Sequence, residues 1–288
     1  MPPTLAGDRR WGLVRIRHMT DPTERAHLRD AQGFSPPVHR FAAAPGLADV
    51  VRRHWLPVWS LPPGQSTVQR VLQYPVCLIV VAPDYARLVG PTTGLSTQEL
   101  AGEGWAAGVM LQPAAGALLL DGPVLPDTAT DLAALKTIDG PTLVAKVRAA
   151  MAPAPSDPDR QALAILALET ELEYLVPVDQ EGLFVNAVVE YVEGDPQVRR
   201  VGQICDKFAI SERSLQRLAA RRIGLSPKWL IQRRRLHEAS ERLREAGSVD
   251  LARVAADLGY ADQAHFGRDW RRVTGLTPGE FAAEPPPT

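Results

Sequence analysis

Gly224-Leu-Ser-Pro227 returns 51 residues later as Gly275-Leu-Thr-Pro278. The residues before it return with it. Leu215 matches Phe266, Arg217 matches Arg268 and Ala219 matches Trp270, all at the same offset. Further upstream, Val201, Ile204, Cys205 and Phe208 match Leu251, Val254, Ala255 and Leu258 at an offset of 50. Both quartets follow the i, i+3, i+4, i+7 stripe of a short amphipathic helix. Each copy therefore predicts an apolar helix, a tight turn, a second helix carrying Arg, and a Gly-x-x-Pro stop. That is a helix-turn-helix, written twice in about 100 residues.

The faces of the two second helices follow from the same spacing. In the first unit Ser211 is placed to cap the helix, Leu215 and Leu218 face inward, and Glu212, Arg213, Gln216 and Arg217 face outward. In the second unit Asp250 and Asp262 cap the two helices, Phe266 and Trp270 face inward, and Gln263, Ala264, His265 and Arg268 face outward. A helix lying in the major groove of DNA reaches base edges from its N-terminal turns. Arg can fork onto guanine O6 and N7, and Gln can pair with adenine N6 and N7. Pro227 suits the first turn of a helix that runs to about Ala246 and ends at Gly247-Ser248. At 1.5 Å per residue it is roughly 30 Å long, close to the ~34 Å of one DNA turn. One chain can thus hold two recognition helices at the spacing of successive major grooves.

The segments Ser211-Glu-Arg-Ser-Leu-Gln-Arg217, Gly259-Tyr-Ala-Asp-Gln-Ala-His-Phe-Gly-Arg268 and Gly275-Leu-Thr-Pro278 resemble the AraC/XylS family of bacterial transcription regulators. The resemblance covers about residues 182–283. One departure is Ala261, where the family often carries a bulkier residue. The resemblance implies a seven-helix DNA-binding domain with two helix-turn-helix units joined by one long helix. It places Arg213, Gln216 and Arg217 at contacting positions, with double-stranded promoter DNA as partner. RNA polymerase and a second copy of the chain are further candidate partners.

Charge resolved along the chain agrees with this. The formal net charge is −1. Residues 196–244, however, hold 13 Lys+Arg against 4 Asp+Glu, while residues 1–181 hold 15 against 19. Local basic density sets the attraction to phosphate. The run Arg233-Arg234-Arg235 is the densest point; beside a doubled helix-turn-helix it reads as part of a DNA-facing surface rather than as a solvated helix face.

Enzymatic readings find little support. An AraC-like repair enzyme built on a zinc-bound nucleophilic cysteine requires four clustered Cys, and the chain has two, Cys77 and Cys205. No Gly-x-Ser-x-Gly, His-Glu-x-x-His or phosphate-loop pattern occurs, and the six His are scattered without metal spacing. The reading is a non-enzyme with no cofactor and no metal. No run of 18 apolar residues occurs, and Trp11-Gly-Leu-Val-Arg-Ile-Arg17 lacks a signal-peptide core. A cytoplasmic protein without a membrane partner is expected.

The fold class expected is α+β, with a β-rich, partly barrel-like domain ahead of an all-α one. Residues 1–33 read as a mobile extension, and Met19 is an alternative start to Met1. Residues 34–150 read as the β-rich domain. Its strands are expected at Val68–Tyr74, Val76–Ala82, Tyr85–Val89 and Trp105–Leu111, and its helices near 45–54, 129–136 and 140–151. Around His54-Trp55 and Gly108–Gly116 its layout resembles the sensor-like N-terminal domain of one AraC-type subfamily, which brings no established ligand. Residues 151–181 read as a Pro-rich linker and a bridging helix, the helix over 158–176, and residues 182–288 as the DNA-binding domain. Ile165, Leu168, Leu172 and Leu175 form an a/d-like seam that packs on the β-rich domain or on a second chain. Trp55, Trp59, Tyr74 and Trp105 are candidates for an aromatic pocket that takes a small-molecule effector. The function expected is a sequence-specific transcription regulator controlled by a small molecule or partner. The alternative is a constitutive DNA-binding protein whose N-terminal domain makes only protein contacts.

Overall fold

The computed structural model describes Leu28, residues 35–245 and residues 250–283. The extension over 1–33, Leu28 apart, the choice of start and the helix end at Gly247-Ser248 lie outside the described residues. The N-terminal half is built on strands β1 (Val38–Phe41), β2 (Val51–Ser60), β3 (Ser66–Val71), β4 (Leu78–Val81), β5 (Ala86–Val89), β6 (Ser96–Ala101), β7 (Glu103–Trp105), β8 (Ala107–Leu111) and β9 (Ala129–Asp131). Seven form an antiparallel sheet in the order β1-β2-β8-β4-β5-β9, with β7 also paired to β2. The other two, β3 and β6, pair as a separate ribbon.

Successive side chains of a strand point to opposite faces. One face of this sheet presents Leu56, Ile79, Val81, Leu88 and Val109 to helices α1 (Ala115–Leu120), α2 (Gly140–Met151) and α3 (Pro158–Leu172), forming the largest core of the chain. The seam on α3 belongs to that core: Ile165, Leu168, Leu172 and Leu175 are all buried in it. Buried His54 on β2 and the backbone N–H of Ala44 both donate to Glu169 of α3, at 3.0 and 2.8 Å. The seam therefore packs on its own chain.

Two expected helices of the N-terminal half are corrected. Near 45–54 the helix is only a 3-10 turn at Pro45–Leu47, and the chain then enters β2. Over 129–136 it is strand β9 followed by a 3-10 turn at Leu132–Ala134, which the Asp131 carboxylate caps. The physical reason at β2 is that both of its faces are covered. His54 and Leu56 point into the core while Trp55 and Pro57 are covered from the other side, so no polar/apolar alternation marks it as a strand. Pro57 is tolerated because the pairing of β2 passes from β8 to β7 at that point. Trp105–Leu111 is likewise two short strands, β7 and β8.

Seven helices follow: α4 (Gln180–Gly194), α5 (Val201–Phe208), α6 (Glu212–Arg222), α7 (Pro227–Glu245), α8 (Leu251–Asp257), α9 (Gln263–Thr274) and α10 (Pro278–Ala282). The repeated phrase stops one helix and starts the next. Gly224 and Gly275 take the left-handed conformation, at φ of 77° and 80°, that closes α6 and α9. The Ser226 and Thr277 hydroxyls accept from the backbone N–H groups of Trp229 and Glu280, and Pro227 and Pro278 open α7 and α10. Ser211, Asp250 and Asp262 cap α6, α8 and α9 as their sequence positions indicate. Helix α7 serves two cores. Leu230 and Ile231 pack with α4, α5 and α6, whereas Leu236, Ala239 and Leu243 pack with Phe266, Trp270 and Phe281.

Leu168→Ala removes a fully buried side chain from the seam and should cost about 2–5 kcal/mol in a denaturant titration. Leu166→Ala, on the exposed side of the same helix, should stay within about 0.5 kcal/mol. Equal effects would place the helix face wrongly.

Burial opposes ionisation of Glu169, but the His54 and Ala44 bonds outweigh it and hold the carboxyl below its ordinary 4.5. A depressed carboxylate stabilises above its unfolded value and loses that contribution as pH falls through the lower folded value. Glu169→Gln should therefore melt below wild type near neutral pH. The gap should narrow as pH falls below the carboxylate range, which melting curves across pH will check.

Candidate nucleic-acid interface and cavity

Helices α6 and α9 each present one polar face to solvent. On α6, Glu212, Arg213, Gln216 and Arg217 are exposed while Leu215, Leu218 and Ala219 are buried. On α9, Gln263, Ala264, His265 and Arg268 are exposed while Phe266 and Trp270 are fully buried. All seven DNA-contact candidates thus lie on outward faces in the first turns of their helices. Gln216 is held by Glu212 at 3.0 Å, and His265 stands edge-on to Tyr260 at 5.2 Å between ring centroids. No ion pair to Arg213, Arg217 or Arg268 occurs among the described residues.

The other basic residues of the region behave differently. At the C-terminal end of α6, Arg221 and Arg222 are tied to Glu181 and Asp179 at the start of α4. The run Arg233-Arg234-Arg235 is neither a solvated face nor a DNA-facing one. The Arg233 side chain is 2% exposed and donates to the carbonyls of Thr92, Thr93 and Gly94 in the N-terminal half, at 3.1, 2.8 and 3.2 Å. Burial pulls its pKa down to about 10, with Asp127 opposing, so it stays charged at neutral pH. Its guanidinium also lies over Trp229 at 4.5 Å. Arg234 bonds Glu238 and the Val198 carbonyl, and Arg235 bonds the Gly259 carbonyl and lies over Tyr260. Charge counting along the sequence cannot separate these structural guanidiniums from exposed ones.

The second face of the sheet, together with the β3–β6 ribbon, lines a half-open cavity of about 260 Å³. Its wall takes alternate residues along several strands, such as Val38 and Arg40, Arg53 and Trp55, Leu78 and Val80, Arg87 and Val89, and Gln98 and Leu100. Trp55, Trp59 and Tyr74 line it. Trp105 does not; it is buried in the core on the opposite face. Sequence reasoning missed Met110, Tyr85 and the three lining guanidiniums of Arg40, Arg53 and Arg87; the signal lay in the alternation, hidden because both faces are covered. Two glycines shape the wall. A Cβ on Gly108 would overlap the Trp55 indole, and one on Gly104 would overlap that of Trp59. Both rings therefore lie against bare backbone of the neighbouring strand. Cys77 lies outside this wall, and burial pushes its thiol up to about 12, which removes thiolate reactivity.

The two halves are joined at both helix-turn-helix units. Towards the first, the Asn186 amide of α4 receives the Ala114 N–H and donates to the Asp49 carbonyl, both at 3.0 Å, and Arg52 pairs with Glu193. Towards the second, Leu72 is fully buried among Leu236, Phe266 and Trp270, and its carbonyl accepts from His237 Nε2 at 2.7 Å.

Arg233→Met keeps an unbranched apolar stem but leaves three carbonyls without their donor. It should lower stability by about 1–3 kcal/mol. The exposed Arg221→Met should change it by about 0.5 kcal/mol or less. Chemical denaturation of both variants checks the contrast.

Residues 204–284 match a family model described as a helix-turn-helix domain, and residues 39–131 match a domain of unknown function, DUF6597. The transcriptional activator RhaS of Escherichia fergusonii is 36% identical over 78 residues, 27% of this chain and 28% of that protein. A Streptomyces antibioticus protein named as an AraC-like transcription regulator is 29% identical over 104 residues, 36% of this chain and 34% of its own. The chain thus spans about a third or less of the curated relatives it matches. Apo ToxT from Vibrio cholerae strain SCE256 superposes with a TM-score of 0.43 at 9% identity, over 80% of this chain and 97% of that one. With its doubled helix-turn-helix, caps and outward faces in place, the C-terminal domain is similar to the helix-turn-helix domains of AraC-like transcription regulators.

Proposed function

We propose that this protein is a cytoplasmic, non-enzymatic transcription regulator that binds promoter DNA through α6 and α9 and is controlled by a small molecule acting on its N-terminal half. The observation that carries the reading is the pair of equivalent exposed faces. Each sets Arg and Gln on the N-terminal turns of a capped helix, while Arg222 and Arg233 to Arg235 are bonded inside the protein. In this reading Arg213, Gln216 and Arg217 enter one major groove, and Gln263, Ala264, His265 and Arg268 the next. Helix α7, 19 residues and about 28 Å long, sets their separation. The sensor unit spans 34–150, the joint 151–181 and the DNA-binding unit 182–288. A constitutive DNA-binding protein is the second reading. The cavity favours the first, because a concave, aromatic-walled and mostly apolar space is the kind a small molecule occupies.

Genome-wide mapping of bound sites with the full chain will supply a DNA fragment for affinity measurements. Arg217→Ala and Arg268→Ala should each weaken specific binding by about 1–3 kcal/mol if they read bases, or lower the salt slope by about one if they hold phosphate. Arg233→Met should leave that slope unchanged. A folded double variant of Arg217 and Arg268 that binds like wild type would remove α6 and α9 from the interface.

A further inference from the structure

Resting on the regulator reading, we propose that the cavity takes a small neutral aromatic molecule and that Gln73 passes its occupancy to α7. Neutrality follows from how the polar groups of the wall are already used. Arg40 and Arg53 each have an interaction partner within the chain. Arg87 lies over the Tyr85 ring at 4.1 Å and stands opposite Asp131 in the β5–β9 pairing, which sets a counter-charge beside it. Gln69 donates to the Thr67 hydroxyl at 3.1 Å, Gln98 to the Glu99 carbonyl at 3.0 Å, and the Trp59 indole N–H to the Ala101 carbonyl at 3.3 Å. An anion entering this space gives up water and meets guanidiniums that are already engaged. A cation meets no Asp or Glu among the described lining residues. Charge taken from water without a partner is costly, so an uncharged ligand is selected.

Aromatic character follows from the indoles and a thioether. Trp55 and Trp59 each lie with one face on a glycine, Gly108 and Gly104, and both line the cavity, so each turns its other face to a ligand. Offset stacking on such a face adds to the gain from the area it buries. Met110 brings its sulfur to the same wall, a favourable neighbour for a ring edge. Most of the remaining wall is aliphatic, including Leu78, Val80 and Leu100. The cavity, about 260 Å³, is less than twice the roughly 150 Å³ that accommodates benzene. It suits two fused rings with a short neutral substituent.

The route to α7 starts at the same wall. Gln73 lines the cavity and is buried, and its Oε1 accepts from the Thr92 hydroxyl at 2.9 Å. The carbonyls of Thr92, Thr93 and Gly94 hold Arg233 of α7. Gln73 thus sits between the space a ligand fills and the turn that anchors the long helix. Its neighbour Leu72 is buried in the core of the second helix-turn-helix unit, so this short segment touches both cavity and DNA-binding half. A ligand shifts DNA affinity only if it binds two arrangements of this joint unequally, and Gln73 is the wall residue whose position distinguishes them.

The test uses the full chain and the mapped DNA fragment. The chain is titrated at neutral pH with 1-naphthylmethanol, 1-naphthoate, 1-naphthylmethylammonium and the saturated 1-decalol, by thermal shift and calorimetry. DNA affinity is read by fluorescence anisotropy. The naphthyl alcohol should raise the melting temperature and bind about tenfold or more tightly than either ion. 1-Decalol, of similar size, should bind about threefold or more weakly than the naphthyl alcohol. Trp59→Leu should remove that preference for the aromatic ring and keep 1-decalol binding within about twofold. Bound naphthyl alcohol should change DNA affinity by about fivefold or more. Thr92→Val, outside the cavity wall, should keep ligand binding and lose that response. Either ion binding as well as the alcohol would overturn the neutral class. 1-Decalol binding as well as the alcohol, or an unchanged preference in Trp59→Leu, would overturn the aromatic one. Both leave the regulator reading standing. Ligand binding with unchanged DNA affinity, or a full response in Thr92→Val, would overturn the route through Gln73. A chain that binds its DNA but none of these probes sinks the whole inference. A chain that binds no DNA sinks the regulator reading instead, and that is read without any ligand present.

Discussion

A guanidinium leaves water at tolerable cost only when oxygen atoms receive its N–H groups. Arg233 meets that condition at Nη2, on the N-terminal half of the chain rather than on its own helical domain, while its Nη1 is buried with no partner among the described residues. Its acceptors are three consecutive carbonyls, at Thr92, Thr93 and Gly94. The turn that offers them is itself held, since the Thr93 N–H and hydroxyl both donate to Asp127. Because α7 carries residues of two hydrophobic clusters, fixing Arg233 positions both helix-turn-helix units against the sheet domain at once. His237, one turn on, repeats the arrangement with the Leu72 carbonyl. The domains therefore meet through directional bonds to buried groups, which tolerate sliding far less than an apolar contact of similar size.

The sheet that receives α7 has no solvent-facing side in its middle. One face packs the helices around Leu168 and Leu119, and the other lines the cavity. The cavity stays open because two tryptophans lie flat over glycines, Trp55 on Gly108 and Trp59 on Gly104. A larger residue at either glycine would push an indole towards the cavity. The wall continues past the end of β3 into Gln73 and Tyr74, where it becomes the surface that touches α7. Cavity and domain joint thus share the same few residues, and this sharing follows from strand alternation alone.

The C-terminal domain was legible because its signals are local and doubled. Ser211, Asp250 and Asp262 act as caps where the spacing put them, and Gly224 and Gly275 supply the left-handed turns that the repeated phrase demands. One turn gave no signal: Ala209 adopts φ of 50° at the first helix-turn-helix corner, where the second unit uses Gly259. The N-terminal half was legible as β-rich but not strand by strand. A strand covered on both faces, such as Val51–Ser60, loses the period of two that identifies it, and the helix expected near 45–54 lasts one 3-10 turn at Pro45–Leu47. Trp55, Trp59 and Tyr74 reach the cavity, and Trp105 falls on the other face because its neighbour Ala106 takes the lining position. The role of Arg233 was invisible, since its partners lie about 140 residues away.

The arginines of residues 196–244 divide by what surrounds them, not by where they fall in the charge count. Arg222 is held by Asp179 and Glu181, Arg234 and Arg242 by Glu238, and Arg233 and Arg235 by backbone carbonyls. Each of these has its strongest donors spent inside the protein. The formal excess of positive charge therefore overstates what a phosphate backbone would meet. Arg213 and Arg217 in the first two turns of α6 stay exposed and without an ion pair among the described residues, as do Arg200, Lys207 and Lys228, and Arg217 is matched by Arg268 on α9. Those turns also carry the positive end of the helix dipole. Pairing these guanidiniums thus removes part of a broad basic stretch from the surface while leaving the outward faces of α6 and α9 free, so that general phosphate attraction and the reading of specific positions fall to different residues.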